Sequence, residues 1–278
     1  MLNFIKNKTP IIICDIGASP IDKTDFIENL YENTFSKLIG FEPNPDAYEQ
    51  LDKTDKNKIF YNFAIGDGYK KILNICRAPG MSSFLEPNLN YLSKFHNFDR
   101  YAEIIKKIKV QTKKLSSLGQ EIDFLKIDVQ GYESEIISHN IDEIQKVKVL
   151  QIETSPTPLY KNEKSFSKIL SRLEDLGFSL HMFNNINTRT FKPLIIEKNI
   201  YKGLHHLFQL DCVLIKNFSE IEKLKKEDLI KLILILFYSF NSIDLVDFLI
   251  TLCDKKFNTN FLKEFRNLGQ RIKITRKY

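Results

Sequence analysis

Four cysteines, Cys14, Cys76, Cys212 and Cys253, are spread through 278 residues. They are too few and too widely spaced for a disulfide framework or a C-x-x-C metal or redox pair, and they favour a reducing compartment. Ten glycines and nine prolines exclude collagen-like and low-complexity chains. No uninterrupted apolar run is longer than Leu232–Tyr238, whereas a membrane-spanning helix needs roughly 20 residues. The N-terminus lacks the shape of a signal peptide, because Asp15 follows directly on a short apolar run. A soluble, cytoplasmic protein with no transmembrane segment is expected.

The composition, 43% hydrophobic and 27% charged, is that of an ordinary globular chain and excludes disorder. The net charge of +6 is unevenly placed: Lys255–Tyr278 holds eight basic residues and one acid, Glu264. A near-neutral body with a basic end is not a nucleic-acid-binding body. The tail is either a solvated helix face or a contact for an anionic surface.

Short apolar runs alternate with helical patterns through the first half, the signature of an α/β protein with a parallel sheet and crossover helices. Strands are expected at Pro10–Asp15, Lys37–Phe41, Ile59–Ile65, Phe124–Asp128, Val147–Glu153, Phe178–Phe183 and Leu210–Lys216. Helices are expected at Ile27–Leu38, Asp46–Thr54, about 132–138 and Phe166–Leu176, the last closed by Gly177. Residues 68–118 are an insertion with an extra strand at Lys71–Cys76. The long connection between the last two strands reads as a lid or specificity loop. From about Glu220 the pattern is purely helical, and Leu229-Ile230 and Leu232–Phe237 are apolar on all sides. That segment must be buried, against the parent domain or against a homodimer or other partner through residues 220–278. The division expected is 1–218 for the main domain and 219–278 for a helical extension with a basic tail.

Ligands of open parallel sheets bind beyond the carboxyl ends of the strands. Five successive strands end here on an acid: Asp15, Glu42, Asp67, Asp128 and Glu153. Gly17, in Asp15-Ile16-Gly17-Ala18, lets a ligand approach the backbone. A dinucleotide site would want G-x-G-x-x-G around a pyrophosphate, and the single glycine after an acid disfavours NAD. Glu42, presented by Pro43 and Pro45, stands where a carboxylate can accept hydrogen bonds from ribose hydroxyls. Asp67, in Ala64-Ile65-Gly66-Asp67, is either an acceptor for an adenine amino group or a plain turn residue.

Asp15-Ile-Gly-Ala, Phe41-Glu42-Pro43, Ala64-Ile-Gly-Asp67 and Phe124-Leu-Lys-Ile-Asp-Val-Gln-Gly131, in this order and spacing, resemble the FkbM family of S-adenosylmethionine (SAM)-dependent methyltransferases. Pro79–Ser83, Gln151–Thr154, Pro158–Tyr160 and Asp211–Lys216 extend the resemblance, which covers roughly residues 8–255. It implies a class I, Rossmann-like methyltransferase fold: a seven-stranded sheet, last strand antiparallel, helices on both faces, plus the C-terminal helical extension. It also implies SAM over the first two strands and methyl transfer to hydroxyls of small natural products or glycan sugars. Carried over by position, Asp15, Gly17 and Ala18 flank the methionine moiety, Glu42 and Pro43 the ribose, and Ala64 and Asp67 the adenine. Asp128 lies beside the transferred methyl group. Two positions depart from the family: the turn after Gly17 is Ala18-Ser19-Pro20-Ile21, and Gln130 replaces the usual acid.

An alcohol needs a base or a metal to become a nucleophile. Asp128 is the first candidate, as base or, with Glu153, as a ligand for Mg²⁺. His205 and His206, in the long loop, are candidates to be brought over the substrate. His139, near a helix C-terminus, and His181, in a strand, fit structural roles better, and His96, in the insertion, is a candidate substrate contact. Arg77, Ser83, Glu153 and Tyr160 are expected substrate contacts, Arg77 suiting an anionic sugar. The leading reading is a SAM-dependent O-methyltransferase acting on a sugar, glycan or other small hydroxylated molecule. The alternatives are a catalytically silent scaffold of the same fold and a nucleic-acid methyltransferase using the basic tail.

Overall fold

The computed structural model describes residue 2 and residues 4–20 and 25–271. Ten strands are described: β1 (Ile11–Ile16), β2 (Ser36–Phe41), β3 (Lys58–Tyr61), β4 (Ala64–Ile65), β5 (Lys70–Cys76), β6 (Ile104–Lys113), β7 (Phe124–Ile127), β8 (Val149–Thr154), β9 (Phe178–Thr188) and β10 (Leu207–Lys216). Seven form the main sheet in the order β3-β2-β1-β7-β8-β10-β9. All neighbours run parallel except β10, which is antiparallel to both β8 and β9. The chain moves outward from β1 through β2 and β3, then returns to the other side of β1 at β7. Strand order therefore reverses at β1, where a parallel sheet opens a crevice.

Side-chain alternation along β1 divides the core. Ile11 and Ile13 face one cluster, with α1 (Asp25–Asn33) and three C-terminal helices. Ile12, Cys14 and Ile16 face the other, with α2 (Glu133–His139) and α3 (Phe166–Asp175). The C-terminal helices are α4 (Lys226–Phe240), α5 (Ile243–Phe257) and α6 (Phe261–Arg271). The all-round apolar segment of α4 is buried by the chain's own sheet, α1 and α5, so its covering is internal and not a partner's. An ionic cluster ties this extension to the strand starts. Buried Asp123 accepts from Lys148 Nζ at 2.7 Å and from Lys231 Nζ, on α4, at 2.9 Å. Its Oδ2 also accepts the Ile12 N–H. Within the basic tail, Lys256 donates to the carbonyls of Glu222 and Leu224, and Arg266 pairs with Asp247. Residues 272–278 of that tail lie outside the described residues.

Two expected elements differ, and one strand, β6, was not expected. The helix expected at Asp46–Thr54 is a single turn, Pro45–Tyr48, because Asp52 and Asp55 bond the N–H groups two residues on and form turns instead. The strand expected at Ile59–Ile65 is two strands: β3 joins the main sheet, and β4 joins a separate sheet of order β4-β6-β5. β6 carries lysines at 106, 107 and 109, and most of its side chains are exposed or half-buried.

Candidate active site

The carboxyl ends of β1, β2 and β7 and the Pro79–Met81 turn enclose a cavity whose lining includes Gly17, Glu42, Pro43, Ala64, Asp128 and Gln130. Gly17 has φ +92°, and a Cβ there would lie 1.9 Å from the Asp128 carbonyl oxygen. Only glycine lets the β1 turn close onto the end of β7. Glu42 is 8% exposed and its Oε1 accepts the Asn44 N–H at 2.7 Å. Burial raises its pKa to about 7, against the lowering effect of that N–H.

A second cavity adjoins the first and shares Gly80, Asp128 and Gln130 with it. Its other walls include Glu153, Tyr160, Phe208 and Gln209. A hydrogen-bond network organises the boundary. Gln130 Nε2 donates to Asp128 Oδ1 at 2.9 Å and to Glu153 Oε2 at 2.7 Å. Gln209 Nε2 donates to the same Glu153 oxygen at 2.9 Å. Tyr160 is buried, with its hydroxyl 3.3 Å from Gln130 Oε1 and 3.1 Å from the Met81 carbonyl. Gln130 itself has φ +57°, and its carbonyl accepts from Ser83 Oγ at 2.7 Å. Lys126 Nζ lies 3.1 Å from Asp15 Oδ1 and 3.5 Å from Asp128 Oδ2. Burial first, then the charges of Asp128 and Asp211, push the Glu153 carboxyl well above its ordinary range. Burial and Asp128 raise Asp211, the cross-strand partner of Glu153, to about 6.

The cavities bring together Gly17, Glu42, Pro43, Ala64 and Asp128 in one, and Asp128, Glu153 and Tyr160 in the other. Asp15 does not reach them: alternation puts it on the β1 face of Ile11 and Ile13, paired with its cross-strand partner Lys126. Ala18 is buried and donates its N–H to the Phe41 carbonyl. Asp67 is a turn residue engaged by Lys71 Nζ, Thr112 Oγ1 and the Tyr69 N–H, which hold its pKa down at about 2 against desolvation. Arg77 is on the surface, paired with Glu103. Ser83 is buried behind Gln130 rather than open to a substrate. His205 is exposed and outside both linings. His206 bonds the Tyr91 hydroxyl at 2.6 Å and packs between Phe95 and Phe191, as part of the loop's own core.

Among the described residues, no group of three or more His, Cys, Asp or Glu gathers as a metal site. The Mg²⁺ expectation is unsupported on the geometry as well, since two amide groups donate to the Glu153 oxygen that a cation would need. Gln130, Gln209 and Asp211 are the site residues that sequence reasoning missed. The signal for Asp211 was its position opposite Glu153 across an antiparallel pair. No helix among the described residues is long and apolar enough to cross a membrane.

The donor set fits SAM: a buried carboxylate at the end of β2 for ribose hydroxyls, apolar walls at Ala64, Ile65 and Phe84, and an open backbone at Gly17. Sheet order, reversed strand and crevice together define a class I SAM-dependent methyltransferase. The methyltransferase FkbM domain matches residues 15–180, so the chain belongs to the FkbM methyltransferase family. It is similar to the 2-O-methyltransferase NoeI of Sinorhizobium fredii (strain NBRC 101917 / NGR234), 26% identical over 189 residues, covering 62% of this chain and 74% of that protein. Among solved structures, magnesium protoporphyrin IX methyltransferase from Synechocystis PCC 6803 superposes with TM-score 0.38 at 11% identity, covering 75% of this chain and 71% of that one. A TehB-like SAM-dependent methyltransferase from Corynebacterium glutamicum gives TM-score 0.36 at 12% identity, covering 75% and 83%. Both structural likenesses are remote.

Proposed function

We propose that this methyltransferase acts on oxygen, methylating a hydroxyl of a sugar or comparable small polyhydroxylated molecule held in the second cavity. The observation carrying this reading is the lining of that cavity. Two carboxyls and two amides, Asp128, Glu153, Gln130 and Gln209, stand with the rings of Phe98, Tyr160 and Phe208. Carboxylates and amides bond hydroxyl groups in both directions, and aromatic rings cover the apolar face of a saturated ring. The name of the S. fredii relative, a 2-O-methyltransferase, agrees with this reading.

Bound SAM supplies an electrophilic methyl carbon: transfer forms a C–O bond, breaks the C–S bond with its electron pair left on sulfur, and releases the hydroxyl proton. Glu42 and Gly17 on this reading hold the cosubstrate, and Asp128, shared by both cavities, faces the acceptor oxygen. The chain's contribution is positioning and exclusion of water around an in-line displacement.

Calorimetric titration of S-adenosylhomocysteine and NAD⁺ into wild type and Glu42→Ala tests the cosubstrate. Saturable S-adenosylhomocysteine binding, weakened at least tenfold by the substitution and absent for NAD⁺, is expected. Methyl-label transfer to a panel of mono- and oligosaccharides then tests the acceptor class. Label transferred only to amines or carboxylates would overturn the O-methyl reading.

A further inference from the structure

The departure at position 130 takes on a meaning once its side chain is placed. An acid there would set a third carboxylate within about 3 Å of Asp128 and Glu153, and like charges at that separation cannot all ionise. The glutamine instead spends both amide hydrogens on the two carboxyls, at 2.9 and 2.7 Å. Its orientation is set by its surroundings, because the reversed amide would aim its oxygen at both carboxylates. The left-handed backbone at Gln130 is held by Ser83 Oγ on its carbonyl, which places local strain at the boundary of the two cavities.

We propose that Gln130 is a positioning residue that locks Asp128 and Glu153 into a carboxyl pair holding one proton between them. Asp128 is the ionised member, fixed to receive the acceptor's hydroxyl proton. This inference rests on the O-methyltransferase reading and assigns the proton's destination within it.

The groups facing the pair decide which member carries the proton. On the Asp128 side stands Lys126, from β7, with Asp15 beyond it on β1. On the Glu153 side stand Asp211 from β10, Glu133 from α2 and the Tyr160 hydroxyl, with Gln209 donating to Oε2. Glu163 lies beneath, accepting the backbone N–H groups of Leu159 and Tyr160. Lys126 Nζ stands 3.5 Å from Asp128 Oδ2, whereas burial and three acids disfavour charge on Glu153. The hydroxyl proton becomes strongly acidic as its oxygen bonds carbon, so an ordinary carboxylate suffices as acceptor if it is ionised and held in place. The O–H bond breaks, the proton moves to Asp128, and from there it passes to solvent through the cavity.

Carboxyl-¹³C labelling of Asp and Glu in the full chain, with NMR titration from pH 4 to 9, reads the pair without ligand. Asp128→Asn and Glu153→Gln assign the two signals. The expected wild-type result is coupled titration of the two groups in two steps, with Glu153 raised well above its ordinary range. Gln130→Leu removes a charge-assisted donor and should move the Asp128 midpoint up by about one pH unit. Where that variant fails to fold, Gln130→Asn, which tolerates the left-handed backbone but is one methylene too short, should give the same shift. A purely structural role would leave the midpoint unmoved. Independent titration of both groups below pH 5, or an unmoved Asp128 midpoint, would overturn the pair. S-adenosylhomocysteine calorimetry on wild type separates the two readings. Binding accompanied by independent titrations sinks the pair alone. Absence of binding sinks the methyl-transfer reading and the proton-acceptor role with it.

Discussion

Glu42→Gln should make the protein more stable at pH 8 and weaken its hold on S-adenosylhomocysteine, with little change in stability at pH 5. Burial raises the Glu42 carboxyl from 4.5 to about 7 in the folded protein. The folded state therefore keeps a proton that the unfolded chain gives up between pH 4.5 and 7. Stability is fully present below 4.5 and falls as pH rises through about 7. At 1.36 kcal/mol per pH unit, the ionisation penalty at pH 8 is about 3 kcal/mol. Glutamine never ionises, and its side-chain oxygen can still accept the Asn44 N–H, so the variant escapes this penalty. For 278 residues the unfolding entropy is about 0.6 kcal/mol/K, which converts 3 kcal/mol into a gain of about 5 °C in Tm at pH 8. Ligand hydroxyls that donate to Glu42 favour its ionised form, so binding at pH 6.5 should release about 0.5–0.8 proton. Titration calorimetry in two buffers of different ionisation enthalpy measures that release, and scanning calorimetry at pH 5 and 8 measures the Tm gap. A Tm difference independent of pH, or binding at pH 6.5 with no proton release, would refute the reasoning.

Gly17→Ala should cost at least about 3 kcal/mol in urea unfolding, because the new Cβ meets a backbone carbonyl and the residue has φ +92°. Gly68→Ala, at φ +97° but with nothing within 4 Å, should cost only about 1 kcal/mol. Asp123→Ala leaves Lys148 and Lys231 buried without their shared acid and should cost about 4 kcal/mol by the same assay. His206→Ala should lower Tm by a few degrees through loss of the Tyr91 bond and ring contacts, while S-adenosylhomocysteine affinity by calorimetry stays within twofold. A tenfold loss of affinity would return that histidine to the site.

The sheet was legible because its strands are short apolar runs, and the expected runs fall in or beside the main-sheet strands except for the end of Ile59–Ile65, which forms β4 of the side sheet. The Lys71–Cys76 strand was legible as a short apolar run, whereas β6 was not. It pairs in a small side sheet, and its lysines are solvated. Strand ends also located the site, but an acid's position in sequence does not say which way its side chain points. Asp15 and Glu42 both close a strand. Alternation buries Asp15 against Lys126, whereas Glu42 follows the last residue of β2 and lines the cavity. Asp67 was ambiguous between ligand and turn, and its partner Thr112 is 45 positions away. The histidines were weighed by residue type alone, and only the tertiary packing of residues 189–206 onto Phe95 gives His206 its place.

Gln130 shows why a missing acid is weak evidence for lost activity. Read in sequence, the residue subtracts one carboxylate from a motif and opens the way to a silent scaffold. In space, Asp128 and Glu153 already stand within reach of one amide, with Asp211 opposite. A fourth acid would raise the proton affinity of the whole group, whereas the glutamine adds no charge to it. A scaffold, by contrast, has no requirement for a glutamine held in a left-handed conformation. Nor does it need two amides converging on one buried glutamate, or a lysine placed between the acids of β1 and β7. Buried polar networks of this kind are costly unless every member is satisfied, and this one opens into both cavities. Such satisfaction at the meeting point of the two cavities is the arrangement of a working site.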